Sequence, residues 1–581
     1  MAPLYLILLV LLVLLALVSL ASYLALPRVI PHIPHNRTSA HSILGDLPHL
    51  LANFKATSEN VNWMTQQCVS LNSPLIQLFL WPGAFPLLVL SDHRETEDIL
   101  VRRTREFDRS DIIARLLGGL VPYATIVMPS HDLFKSQRRI WANTMSTAFL
   151  NEVAAPQIHE ATMDLVRLWR RKQALAGGRC FAAAENIRHA AMDAIWAVAV
   201  GTKLGGVQTQ LDFLASKESI FVPKDDPEAP VEFPEAAMPA VYTAISTLLD
   251  SVAGILSSPF PKVYAFFMRQ RSWYRKANAM KTRTMQELVR QCRDEFVRNP
   301  KSALHRPASA MEHVLRREAL ELAKEEGRDS KPGSRGDERE MIDELFMFLV
   351  AGHETTATTT TWGLKYLASS PTIQNRLHRA IQTALPSASP TQIPSADQLM
   401  AADIPYLDAA IAEMLRCGRT TTGAVRVAKV DCEVLGYRIP KGSSILCSTC
   451  GPSFLHDTLY VDEESRSQSS KAAGGKCREW ESRGKRDFKP ERWLERNGDG
   501  DRELGVVFNP NAGPSLPFGA GPRGCFGKKL ALMEMRIMII LLLLSFELKE
   551  VPDPLGGYDA IEGVTVTRQP RKCFVKLGLR D

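Results

Sequence analysis

The chain has 581 residues, 45% of them hydrophobic and 23% charged, with 70 Lys and Arg against 63 Asp and Glu and a net charge of +7. That is ordinary globular composition and excludes a disordered, collagen-like or disulfide-stapled protein. The mild basic excess lacks the concentrated stripe of a nucleic-acid binder, and ten cysteines without a repeating spacing read as reduced thiols.

Residues 4–26 carry no charge and are dominated by Leu, Val and Ala. As a helix of roughly 34 Å they would cross a bilayer core of about 30 Å. A cleaved signal peptide has a shorter apolar core behind a basic start, whereas here the first charge is Arg28, after the run. The expectation is an anchor over 1–27, with the N-terminus in the lumen and the body in the cytosol. Pro27, Pro31 and Pro34 predict a stiff extended connector over 28–40. In that topology the sequon Asn36-Arg37-Thr38 stays unmodified.

Residues 41–581 read as one mainly α domain with a smaller β-rich region. Apolar residues recur at helical spacing over 134–171 and 184–200. The clearest helix is 341–368, where Ile342, Leu345, Phe346, Leu349 and Val350 share one face and Asp343 and Glu344 suit the positive helix start. Further helices are expected over 407–416 and 528–548; the apolar run 537–544 of the latter is too short to span a membrane. Strands are expected at 432–439 and, after the turn Pro440-Lys441-Gly442, at 445–447, with a terminal hairpin over 564–575. Residues 325–340 and 463–486 lack the apolar content that offsets ordering entropy and are expected to be mobile insertions.

The strongest chemical signal is Phe518-Gly519-Ala520-Gly521-Pro522-Arg523-Gly524-Cys525-Phe526-Gly527. Its glycines happen to fit G-x-G-x-x-G, but Pro510, Pro514 and Pro517 stand where a dinucleotide site needs a strand. The alternative is a tight loop presenting Cys525 at a helix start, where backbone N–H groups and the helix dipole favour a thiolate. The glycines let backbone lie against a flat cofactor, and Arg523 can pair with a carboxylate on it. Such a thiolate suits haem iron and favours O–O cleavage. Cys68, Cys180, Cys292, Cys417, Cys432 and Cys573 read as small buried hydrophobes. Cys447 and Cys450 form a C-x-x-C without the second pair that zinc requires.

Residues 518–527 resemble the haem-binding signature F-x-x-G-x-R-x-C-x-G of the cytochrome P-450 haem-thiolate monooxygenases at every fixed position. Further motifs follow the family's order, and the resemblance covers roughly residues 40–581. Ala351-Gly352-His353-Glu354-Thr355-Thr356 resembles the family's oxygen-binding stretch. There, small Ala351 and Gly352 would leave room for O2, Thr355 would donate a hydroxyl and Glu354 would pass protons; on its own the stretch could equally be a packing seam. Its hydroxyls can also bond back to helix carbonyls. His353-Glu354 lacks the second His of a zinc site. Glu413-Met414-Leu415-Arg416 matches E-x-x-R, and Arg492, within Pro490-Glu491-Arg492-Trp493, would complete a structural triad of Glu413, Arg416 and Arg492. Phe134-Lys135-Ser136-Gln137-Arg138 resembles W-x-x-x-R with Phe for Trp. Arg138 and Arg426 would partner haem propionates, or else lie in solvent.

The resemblance implies the cytochrome P-450 fold, haem b (iron protoporphyrin IX) on Cys525, and insertion of one oxygen atom of O2 into an apolar small molecule. It also implies a single-pass endoplasmic-reticulum protein. No dinucleotide loop is credible in the chain, so electrons would come from NADPH through a separate membrane-bound reductase, docking on basic residues such as Lys528 and Lys529. Secondary-metabolite biosynthesis is the expected setting, ahead of sterol, fatty-acid or xenobiotic oxidation. A haem-thiolate isomerase or dehydratase, or a non-catalytic haem protein, are the alternatives. The family's usual proline after E-x-x-R is replaced by Cys417-Gly418-Arg419-Thr420-Thr421-Thr422-Gly423, a polar stretch expected to line the substrate pocket.

Overall fold

The structure is a computed structural model and describes residues 2–223, 226, 228–258, 261–298, 307–325, 338–474, 480, 484–496, 506–562 and 567–580. In chain order the elements that frame the site are α1 (Ala2–Ala25), β1 (Leu75–Leu78), β2 (Leu87–Leu90), α2 (His93–Val101) and β3 (Phe107–Arg109). Helices α3 (Asp132–Trp141), α4 (Ala155–Ala176), α5 (Ala184–Val200), α6 (Glu338–Ala368) and α7 (Pro405–Gly418) follow. Then come β4 (Gly423–Ala428), β5 (Cys432–Val434), β6 (Tyr437–Ile439), β7 (Ser444–Ser448), α8 (Gln468–Ala473) and α9 (Lys528–Ser545). The chain closes with β8 (Phe546–Lys549), β9 (Ala560–Glu562), β10 (Arg568–Pro570) and β11 (Phe574–Leu579).

Two compact units result. Unit 1 comprises Met1–Ser110, Thr422–Arg486 and Gly513–Gly524; unit 2 comprises Asp111–Thr421, Asp487–Ala512 and Cys525–Asp581.

Unit 1 is built on a five-stranded sheet in the order β1-β2-β7-β4-β3. Strands β1 and β2 are buried at all four positions, because both faces are covered. The proline connector is not a free spacer. Ile30 and Ile33 are buried in the sheet's core, and Gln77 donates to the carbonyls of both, at 2.8 Å each. The strand expected over 432–439 is instead the hairpin β5–β6, because Leu435 and Gly436 adopt positive φ of 49° and 76°.

Residues 463–474 of the second insertion are not simply mobile; 475–479 and 481–483 lie outside the described residues. Arg466 pairs with buried Asp92 at 2.7 Å, and Ser467 and Ser469 donate to Asp98 of α2 at 2.6 and 2.7 Å. Buried ionic and hydroxyl contacts hold residues 466–469 where apolar content does not. Residues 326–337 of the other insertion lie outside the described residues, and 338–340 belong to α6.

Unit 2 is helical around α4, α5, α6, α7 and α9. The run expected over 134–171 is broken into α3, short turns and α4, since Pro156 supplies a fresh first turn. Helix α6 starts at Glu338, so the acids of its first turn are Glu338 and Glu340 rather than Asp343 and Glu344. Asp343 instead accepts the Tyr123 backbone N–H at 2.9 Å, and Glu344 accepts that of Thr125. Helix α9 stops at Ser545, where Phe546 turns extended and opens β8. The terminal hairpin is β9–β10, with part of its expected span, 563–566, outside the described residues.

Helix α1 covers the apolar run as one helix of 24 residues. Several of its side chains fall outside the described residues. Among the described residues no helix is long and apolar enough to cross a membrane, so the transmembrane anchor expected from the sequence is not supported by the described structure.

Candidate active site

Unit 1 holds Arg426, Phe518, Gly519 and Arg523. The loop 513–524 needs its glycines. Gly519 and Gly521 have φ of 61° and 68°, and a Cβ on Gly521 would collide with the Leu100 carbonyl oxygen. Arg523 is half-buried on a single turn, Gly521–Arg523. Arg426 is buried on β4, where burial lowers the pKa of its guanidinium against the opposing charges of Cys447 and Asp108. It is not the solvent-exposed arginine of the bland alternative.

Unit 2 holds Arg138, Ala351, Gly352, Glu354, Thr355, Glu413, Arg416, Arg492 and Cys525. Gly527 is the N-cap residue of α9, so Cys525 lies two residues ahead of the cap. Cys525 is exposed, yet crowding by surrounding atoms pushes its thiol above the ordinary range. The Gly527 and Lys528 backbone N–H groups and the charges of Arg138 and Lys528 pull the other way. The helix start thus lowers the thiol pKa as expected, but desolvation outweighs it in the bare chain; coordination to a metal ion deprotonates a thiol outright. Arg138 on α3 lies over the Phe526 ring at 5.4 Å and the Phe134 ring at 5.8 Å. Phe134 therefore gives the arginine an aromatic wall in place of an indole N–H.

On α6 the Thr355 hydroxyl donates to the Ala351 carbonyl at 2.8 Å, the back-bond that eases a helix open. Ala351 is exposed. At Gly352 a Cβ would meet Ile195 Cγ1 at 2.5 Å, so its smallness admits helix α5. His353 is buried, with Nδ1 3.0 Å from the Leu349 carbonyl, and burial lowers its pKa. Glu354 is buried and accepts from Thr567 Oγ1 and Gln569 Nε2, each at 2.8 Å.

Glu413, Arg416 and Arg492 meet. Glu413 is fully buried and takes donors from Arg416 at 2.7 and 2.8 Å, Arg492 at 2.9 Å, the Lys489 backbone N–H at 2.9 Å and Trp493 Nε1 at 2.8 Å. Burial alone would raise its carboxyl pKa; these bonds and the two guanidinium charges hold it below the usual range. In the polar stretch after α7, Thr420 is held internally. Thr420 Oγ1 lies 2.8 Å from Thr359 Oγ1 of α6, and the Thr420 carbonyl accepts the Arg568 N–H at 2.9 Å.

The nine described cysteines are free. Cys68, Cys180, Cys417 and Cys573 are buried, whereas Cys292 and Cys432 are only partly so. Cys447 and Cys450 are buried in unit 1, and among the described residues no group of His, Cys, Asp and Glu could hold a metal ion by itself.

Sequence reasoning missed Glu534, whose buried carboxyl on α9 faces Thr356 of α6. It also missed Thr567 and Gln569. No motif marks these three; only the tertiary fold brings them to α6.

Cys525 is exposed while most other described cysteines are buried, and within unit 2 the Gly527 and Lys528 N–H groups and the Arg138 charge act on it. That donor set fits a haem-thiolate centre.

The family model described as Cytochrome P-450 matches residues 52–457 and 486–572. The chain is 35% identical to "Cytochrome P-450 monooxygenase TRI13" of Fusarium sporotrichioides, over 96% of both chains. It is 36% identical to "Cytochrome P-450 monooxygenase GME11363" of Pestalotiopsis microspora, over 95% of both. A crystal structure of a cytochrome P-450 haem domain superimposes with a TM-score of 0.65 at 18% identity, over 96% of this chain and 98% of that one.

Proposed function

Because the chain belongs to the cytochrome P-450 family and is a monooxygenase of it, we propose that it oxidises an apolar small organic molecule of secondary metabolism, using electrons from NADPH through a separate reductase. The observation that carries this reading is the placement, within unit 2, of Cys525 before α9 and of Thr355 and Glu354 on α6.

When bound, haem b supplies O2 cleavage and oxygen transfer. This chain's residues do the rest. Cys525 would supply the sulfur that holds the iron, and Arg138 would pair with a propionate carboxylate. By the family pattern Arg426 and Arg523 would be propionate partners. The Thr355 hydroxyl gives its one hydrogen to the Ala351 carbonyl, which leaves its oxygen to accept; it would donate elsewhere by turning from that bond. Glu354, buried with two donors on one oxygen, holds and hands on a proton. The fungal monooxygenases to which the chain is similar support the monooxygenase chemistry.

The body lies on the cytosolic face of the endoplasmic reticulum in this proposal. Support comes from the uncharged run 4–26 and from Arg28 behind it. A glycan on Asn36 would reverse the topology. Exposed Lys528 and Lys529 are the proposed docking charges for the reductase; an unchanged reduction rate after charge reversal at both would remove them.

The test is a screen of apolar compounds for shifts in the ferric haem spectrum, followed by substrate-dependent consumption of NADPH and O2 with a reductase and identification of the product. A shifting compound that triggers no O2 uptake would refute the monooxygenase reading for it.

A further inference from the structure

Glu354 belongs to α6, but its carboxylate is gripped from the other end of the chain. Thr567 and Gln569 both donate to Glu354 Oε1, each at 2.8 Å. They are two apart on an extended segment, so their side chains share one face. Arg568, between them, points the other way, its guanidinium 4.6 Å from the Trp362 ring centre. The Trp362 indole N–H donates to the Arg568 carbonyl at 2.8 Å. This short strand therefore holds α6 at two levels two turns apart, Glu354 and Trp362.

The grip is itself fixed. The Arg568 N–H donates to the Thr420 carbonyl at 2.9 Å, and Thr420 is bonded to Thr359 on α6. Arg188 of α5 donates to Gln569 Oε1 at 3.2 Å and is paired in turn with exposed Glu185. A guanidinium can only donate, so the amide oxygen of Gln569 must face Arg188 and its NH2 must face Glu354. Chemistry, rather than assignment, sets the amide's orientation.

We propose that Thr567 and Gln569 are positioning residues for proton handling: the strand at 567–569 holds the Glu354 carboxylate in one direction, with Arg188 locking the amide that does so. The inference rests on the proposed role of Glu354. Two donors on one oxygen cost the carboxyl group rotational freedom, so the strand decides where Glu354 points when a proton is handed on.

The experiment uses the ferric holoenzyme and four variants: Thr567→Val, Gln569→Leu, both together, and Thr567→Ser. The first readout is the infrared carboxylate band of Glu354, isolated by difference against Glu354→Gln. The second is product formed per electron pair supplied, with its solvent deuterium isotope effect. The band shifts in each single variant, shifts furthest in the double, and returns with Thr567→Ser. Product yield falls about tenfold in the double variant, the range seen when partners that orient a reactive group are removed, and the isotope effect rises. An unmoved band in the double variant overturns the clamp. A moved band with unchanged yield and isotope effect overturns the positioning role. If Glu354→Gln itself leaves the yield intact, the assignment of Glu354 fails, while the band still reads the clamp.

Discussion

Glu534 can report how dry the contact between α9 and α6 is. The residue is 2% exposed and its Oε1 has no hydrogen-bond partner. Burial pushes its carboxyl up to about 8 from an ordinary 4.5, against a single opposing bond from Thr356. The folded chain therefore keeps a proton that the unfolded chain releases. The stability this represents is whole below pH 4.5 and is lost as pH climbs to about 8. At about 1.36 kcal/mol per pH unit, the loss over that window is about 5 kcal/mol. Glu534→Gln keeps the shape and a partner for Thr356 but has no proton to lose. Denaturant unfolding of both proteins between pH 5.5 and 7.5 should show wild type losing about 2.7 kcal/mol more than the variant. Every other titrating group is common to the two proteins and cancels in the difference. Parallel stability curves would refute the claim that a neutral carboxyl is held there.

Other outcomes follow from the same structure. Glu413→Gln leaves Arg416 and Arg492 with an uncompensated buried charge; it should cost about 3–5 kcal/mol in denaturant unfolding. Cys525→Ser should abolish the absorption band of the reduced, carbon-monoxide-treated haem-thiolate protein while leaving the far-ultraviolet circular dichroism of the folded chain unchanged. Gly521→Ala combines a positive φ with a collision against Leu100 and should lower haem content, read as the ratio of Soret to protein absorbance. Arg466→Ala strands Asp92 in unit 1 and should destabilise by about 3–5 kcal/mol, read from the denaturant midpoint.

Much of the site was legible because its parts are local. Cys525, Arg523 and the glycines around them sit in ten consecutive residues, and Thr355 with Glu354 sits on one long periodic helix. Helix α5 was bounded correctly because its apolar spacing is uninterrupted. What sequence reasoning lost was the work of distant partners. Asp343 and Glu344 looked like helix-start charges, yet they serve the 123–125 loop. Gly352 looked like room for a ligand and also makes room for Ile195. Residues 463–474 looked mobile because buried ion pairs cannot be read from apolar content. Thr567 and Gln569 reach Glu354 across more than 200 residues of sequence, a distance over which no spacing rule operates.

The sheet of unit 1 has a consequence for biosynthesis. Strand β2 pairs in parallel with β7, Leu87 opposite Ser444. While the chain is being made, β2 leaves the ribosome long before its neighbour exists. At about 5–20 residues per second, the interval is about 20–70 s. Throughout it, Leu87-Leu88-Val89-Leu90 presents an apolar, unpaired edge of the kind that templates aggregation. Translation arrest before residue 444 leaves the sheet without its middle strand.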